Sequence, residues 1–100
     1  MKIKYIHLRK LDSDGKPLTK GGATIAYRSS PHPFQHEETL VEYVVAYCSD
    51  KDNFSKKIGR HISGGRLDRY KVAGNYLVLE NNPTNSEIVK ELVQRIDGTF

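Results

Sequence analysis

Residues 49–70 read SDKDNFSKKIGRHISGGRLDRY, and the rest of the chain takes its order from this stretch. Phe54, Ile58 and Ile62 recur at i, i+4 and i+8, a one-sided apolar stripe that predicts a helix over about 53–64 with that stripe turned to a core. Asp50 or Asp52 is suited to cap its start by accepting from free backbone N–H groups. Gly64-Gly65 is expected to end it, because glycine adopts the left-handed conformation of a C-cap at little steric cost. Lys56, Lys57 and Arg60 fall off the stripe and face outward or into a cleft, and Arg66 follows the glycine turn. The expectation is a short basic helix, a Gly-Gly-Arg turn and an anion cradle between them.

Outward from this helix, the upstream stretch Leu40–Cys48, LVEYVVAYC, is rich in Val and Tyr. Its near-continuous apolar character predicts a central strand. Residues 2–11 predict a first strand whose alternation slips at Tyr5-Ile6, either a bulge or a strand apolar on both faces. Asp12-Ser13-Asp14-Gly15 is a turn, and Ala23–Tyr27 a second strand after Gly21-Gly22. Ser29–Glu38, SSPHPFQHEE, reads as a loop, since prolines two apart exclude helix. Downstream, Tyr70–Gly74 is ambiguous between an irregular arm and a turn of helix. Tyr76–Glu80 is a strand ended by Asn81-Asn82-Pro83. Thr84-x-x-Glu87 is a capping box opening a helix with Ile88, Val89, Leu92, Val93 and Ile96 on one face, stopped by Gly98.

The elements come in the order β-β-β-α-β-α. They predict one α+β domain spanning residues 1–100, with about four mainly antiparallel strands and two helices packed on one face. One hundred residues suffice for a modest core and no more. No apolar run approaches the ~20 residues that cross a bilayer, and the N-terminus lacks a secretory apolar region, so no membrane association is expected. A single cysteine, Cys48, excludes an intrachain disulfide and fits the cytoplasm.

Charge is local. Between Lys51 and Lys71 seven Lys/Arg face only Asp52 and Asp68, whereas the whole chain carries +4. Such concentration points to an anionic partner. Arg60 and Arg66 are the first choices to grip phosphate through paired hydrogen bonds, with Lys56 and Lys57 as less directional charge. Phe54 and Tyr70 are candidates to stack on a base; the periodicity of Phe54 with Ile58 and Ile62 favours packing. His32, His36, Glu37 and Glu38 offer metal-ligand chemistry, but Pro31 and Pro33 prevent a shared helical face, so no metal is expected. Cys48 with His61 or His7 is the only nucleophile-base pairing in reach of the sequence, and a buried structural cysteine is commoner. The chain reads as a binder without catalytic residues and without a cofactor.

Ala46–Leu67, AYCSDKDNFSKKIGRHISGGRL, resembles a segment of small phage-encoded proteins, the Thoeris anti-defence sponges: a strand ending in Cys-Ser, then Asp-x-Phe-Ser-x-Lys-x-Gly-Arg, then Gly-Arg-Leu. The resemblance implies a small oligomeric protein of the host cytoplasm that sequesters a cyclic ADP-ribose-type immune messenger without cleaving it. It further implies that Phe54, Lys57, Arg60 and Arg66 contact base or phosphate. Two alternatives use the same basic surface: a small nucleic-acid-binding module, and an inhibitor docking on an acidic protein partner.

Overall fold

The computed structural model describes residues 3–31, 37–69, 75–80 and 83–97. Tyr70, His32, His36 and Gly98, and the ambiguous stretch at 70–74, lie outside them. The elements are β1 (Lys4–Leu8), β2 (Lys20–Pro31), β3 (Glu38–Asn53), α1 (Lys56–Arg69), β4 (Asn75–Glu80) and α2 (Asn85–Asp97). The strands form one antiparallel sheet in the order β1-β2-β3-β4. The fold class and element order are those expected from the sequence, and Leu40–Cys48 lies in an inner strand.

The slip at Tyr5-Ile6 is resolved as a strand with both faces covered. Ile6 and Leu8 point to one side of the sheet with Ile25, Tyr27, Val41, Tyr43 and Leu77. Ile3 points to the other with Ala26 and Val44. This pattern divides the helices. Ile88, Leu92 and Ile96 of α2 bury against the first face, and Leu67 of α1 against the second. The two helices therefore flank the sheet instead of sharing a face. The reason is visible in β2, whose residues from Gly21 to Tyr27 are all buried: a strand covered on both sides needs a layer on each.

The two layers are built differently. α2 has the expected apolar face and the expected capping box. Thr84 Oγ1 accepts from the Glu87 N–H at 3.3 Å, while the Glu87 carboxylate reaches back to the Thr84 N–H at 3.5 Å. Asn85 Oδ1 accepts from Tyr27 Oη at 2.8 Å and from Lys4 Nζ at 3.2 Å, pinning that helix end to β1 and β2.

α1 departs from expectation in three ways. It begins at Lys56, because β3 continues to Asn53, and Ser55 Oγ, not Asp52, receives the Ile58 N–H at 3.3 Å, the side chain of Asp50 lying outside those described. It runs straight through Gly64-Gly65 to Arg69, so the Gly-Gly-Arg turn does not form. And its apolar stripe faces out: Ile58 is 60% exposed and Ile62 40%. The face laid on the sheet is Gly59, Ser63, Gly64 and Leu67. A Cβ on Gly59 would collide with the Thr24 side chain, and one on Gly64 would sit 2.5 Å from Tyr5 Oη. These glycines admit the sheet, and burial of Leu67 extends the helix past the point where propensity alone would stop it.

Candidate functional site

The outward stripe of α1 is one wall of a groove of about 410 Å³. The opposite wall comes from a break in the β2–β3 ladder. Gly22 pairs with Cys48 but Lys20 with Asn53, so β3 spends residues 49–52 where β2 spends only Gly21. The extra residues bulge away from the sheet. Ser49 Oγ accepts from the Lys51 N–H at 3.2 Å inside the bulge, and Cys48 Sγ lies 3.5 Å from the carbonyls of Ser49 and Asp52. Thr24 and Ala46 form the floor, Ile58 and Ile62 the helix wall, and Phe54 the end where β3 passes into α1.

Phe54 is seated by three contacts. Its N–H donates to the Thr19 carbonyl at 2.8 Å. Its ring lies over Gly22, at φ 117°, where a Cβ would come within 2.6 Å of the ring. The His7 ring meets it edge-on, with centroids 6.0 Å apart and planes at 77°. Beyond these three, the Arg9 guanidinium lies 5.8 Å from the centroid of the same ring, a cation–π distance. Phe54 thus faces the groove on one side and a cationic neighbourhood on the other.

Among the described residues, no Lys or Arg lines the groove, and Asp52 is the carboxylate that does. Lys56, Lys57, Arg60 and Arg66 are all exposed on α1. At about 100° per residue, Lys56 and Arg60 share the flank of α1 that faces β1, and Arg66 lies about 120° round from Arg60 on the opposite flank. The predicted cluster is therefore split: Lys56, Lys57 and Arg60 lie within about 100° of one another on α1, and Arg66 stands apart. Among the described residues, none of these four makes an ion pair. No acidic residue occupies the first turn of α1, so Lys56 and Lys57 reinforce the positive end of the helix dipole.

His7 packs on the face that carries α1. Its Nδ1 lies 3.0 Å from Thr24 Oγ1, and Thr24 is fully buried beneath Gly59. Burial, then the charges of Lys56 and Arg60, hold its pKa below the ordinary histidine value. Cys48 meets neither histidine. His7 pairs with Thr24 of β2, and Cys48 belongs to β3, about 10 Å away at two strand spacings. His61 is exposed on the outer side of α1.

The groove residues Thr24, Ala46, Ile58 and Ile62 were not expected to be functional. The stripe at i, i+4, i+8 was legible, but its direction was not. Arg9 was missed altogether. It comes from a hairpin arm, residues 9–19, folded back by Asp12, whose Oδ1 accepts from the N–H groups of Asp14 and Lys16 at 2.9 Å. This arm carries Arg9 to the Phe54 end of α1, where Lys56 begins the helix.

The architecture defines a small α+β protein with a helix on each face of a four-stranded antiparallel sheet, a groove under one helix and a basic end. No helix among the described residues is long and apolar enough to cross a membrane. The chain matches no family model, no curated protein and no solved structure.

Proposed function

We propose that this chain is a binding protein that sequesters a phosphate-bearing nucleotide, of the cyclic ADP-ribose type used as an immune messenger, and so acts in a phage-type anti-defence role in the host cytoplasm. One observation carries the reading. Phe54, Ile58 and Ile62 line a groove of about 410 Å³ at the foot of a helix that opens with Lys56-Lys57 and has no acid in its first turn. Apolar side chains held in water beside a built concavity suit a planar ring, and the unpaired cations at its end suit phosphate. The groove is small enough for a nucleoside and too small for duplex. Bond cleavage is not part of the proposal: Cys48 is two strand spacings from His7, and Thr24, whose hydroxyl does meet His7, is fully buried. A homo-oligomer is part of the proposal, since a second copy would close the open side of the groove.

The breadth of the basic end favours one other reading. The arm adds Arg9 to the cations of α1, a footprint that also suits a short single strand. Salt separates the two. Oligonucleotide affinity falls steeply with ionic strength, whereas a pocketed diphosphate held by directional bonds loses less.

The test is thermal shift against cyclic nucleotides, cyclic ADP-ribose isomers and short oligonucleotides, with recovery of the ligand after denaturation. A ligand at about 100 times its Kd stabilises by about 2.7 kcal/mol. At several degrees per kcal/mol for a domain this size, the Tm should rise by roughly 10 °C or more. Recovery of the intact cyclic compound supports sequestration, and light scattering reads the oligomer. A shift with oligonucleotides alone, or none with any compound, would overturn the nucleotide reading.

A further inference from the structure

The glycines that bring α1 onto the sheet also fix what faces what. Gly64 lies on Tyr5 of β1. Arg60 is one turn back along the same ridge of α1, about 6 Å, and Lys56 one turn further. Along β1, His7 is two residues from Tyr5 on the same face, about 6.8 Å. Arg60 is therefore set over His7, and Lys56 toward Phe54, where the Arg9 guanidinium lies. Two basic pairs, His7 with Arg9 and Lys56 with Arg60, therefore face each other between β1 and α1.

Among the described residues, no carboxylate pairs with Lys56 or Arg60. Residues 1–10, 20–31 and 56–67, which include β1, β2 and the first three turns of α1, contain no Asp or Glu. The groups facing His7 are Tyr5 from β1, Arg9 from the arm just beyond it, Thr24 from β2, Phe54 just after β3, and Lys56 and Arg60 from α1. Among the described residues, its ionised neighbours are cations. Like charges set together without counterions oppose folding, and an anion between them removes that opposition.

We propose that the cleft between α1 and β1, walled by Arg9 and His7 on one side and by Lys56 and Arg60 on the other, binds a tetrahedral dianion of the phosphate class, and that His7 takes up a proton as the anion enters. This deepens the proposed function by naming where the ligand's phosphate sits, and it moves that place from Arg66 to Arg9. The cleft and the groove meet at Phe54, so a nucleotide would lay its ring on the groove side and its phosphate on the other. Proton uptake follows from the surroundings. Burial and the charges of Lys56 and Arg60 disfavour protonated His7 in the free protein. An anion placed among those charges reverses the second influence and raises the histidine pKa. By linkage, the anion binds more tightly as pH falls.

Sulfate is the probe, because it stays dianionic across the histidine range and its own titration does not intrude. His7 is followed by side-chain NMR from acid to neutral pH, in sulfate and in chloride at equal ionic strength. Sulfate should raise the His7 pKa above its value in chloride. Its affinity should increase as pH falls, by at most about tenfold per pH unit, the limit for one linked proton. Arg60→Gln and Lys56→Gln, both exposed and outside the core, should each weaken it severalfold. His7→Asn, which keeps a polar atom near Thr24, should leave an affinity that no longer depends on pH. Equal His7 titration in sulfate and chloride would overturn the site, and pH dependence surviving in His7→Asn would overturn the proton uptake. Ile58→Gln separates this inference from the proposed function, since it damages the groove alone. A nucleotide that binds while sulfate leaves His7 unmoved sinks the cleft and spares the nucleotide reading. Sulfate that moves His7 when no nucleotide binds does the reverse.

Discussion

Replacing Gly59 and Gly65 by alanine, one at a time, should move stability in opposite directions. Both lie inside α1, where alanine is favoured over glycine by about 0.8–1 kcal/mol. A Cβ on Gly65 meets nothing within 4 Å, so Gly65→Ala should show that gain almost in full. A Cβ on Gly59 runs into Oγ1 and Cβ of Thr24, which is fully buried and in hydrogen-bond contact with His7. Thr24 sits fully buried in the inner strand β2, so α1 must lift. Overpacking of this kind costs about 1–3 kcal/mol, which leaves a net loss of up to about 2 kcal/mol after the helical gain. Urea denaturation reads both: the midpoints should diverge while the slopes stay equal. Gly59→Ala as stable as Gly65→Ala would mean that α1 does not rest on Thr24, and the facing of Arg60 and His7 would fall with it.

Other outcomes follow from the same contacts. Thr84→Ala removes the acceptor for the Glu87 N–H and should lower stability by about 1 kcal/mol, read from the shift in urea midpoint. Ile58→Gln should leave the midpoint within about 0.5 kcal/mol, since the side chain is already 60% exposed, while abolishing nucleotide binding measured by calorimetry. Because the His7 pKa is lowered on folding, the unfolded chain binds the proton more readily. Stability should therefore fall as pH drops below the ordinary histidine value of 6.5 and level off once folded His7 is itself protonated. His7→Asn should lose that part of the pH dependence, seen by comparing the two proteins' midpoints across pH.

Elements whose signals are local were readable before any coordinates. The capping box at Thr84 and Glu87 and the apolar face of α2 state both a helix and the side it buries. The turn at Asp12–Gly15 and the strand through Leu40–Cys48 are equally self-contained. α1 was legible as a helix and misleading in its facing, because its buried face is made of Gly59, Ser63 and Gly64, residues that carry no apolar signal. Gly64-Gly65 has the composition of a terminator, and only Tyr5, distant in sequence, shows that Gly64 is there to admit the sheet. The same non-local cause hides the site. Arg9 joins Lys56 and Arg60 only after β1 and α1 are laid side by side, and the groove exists only where β3 bulges from β2.

The two faces of the sheet also imply two clocks. Ile88, Leu92 and Ile96 lock α2 to a broad apolar cluster, while α1 is held by backbone closeness and one fully buried leucine. Amide hydrogens of α1 should exchange with solvent through partial opening, long before those of α2 and the inner strands, which await global unfolding. Both the groove and the cleft use α1 as a wall. An occupant of either would slow exchange in that one helix and leave the opposite side of the sheet at its own pace.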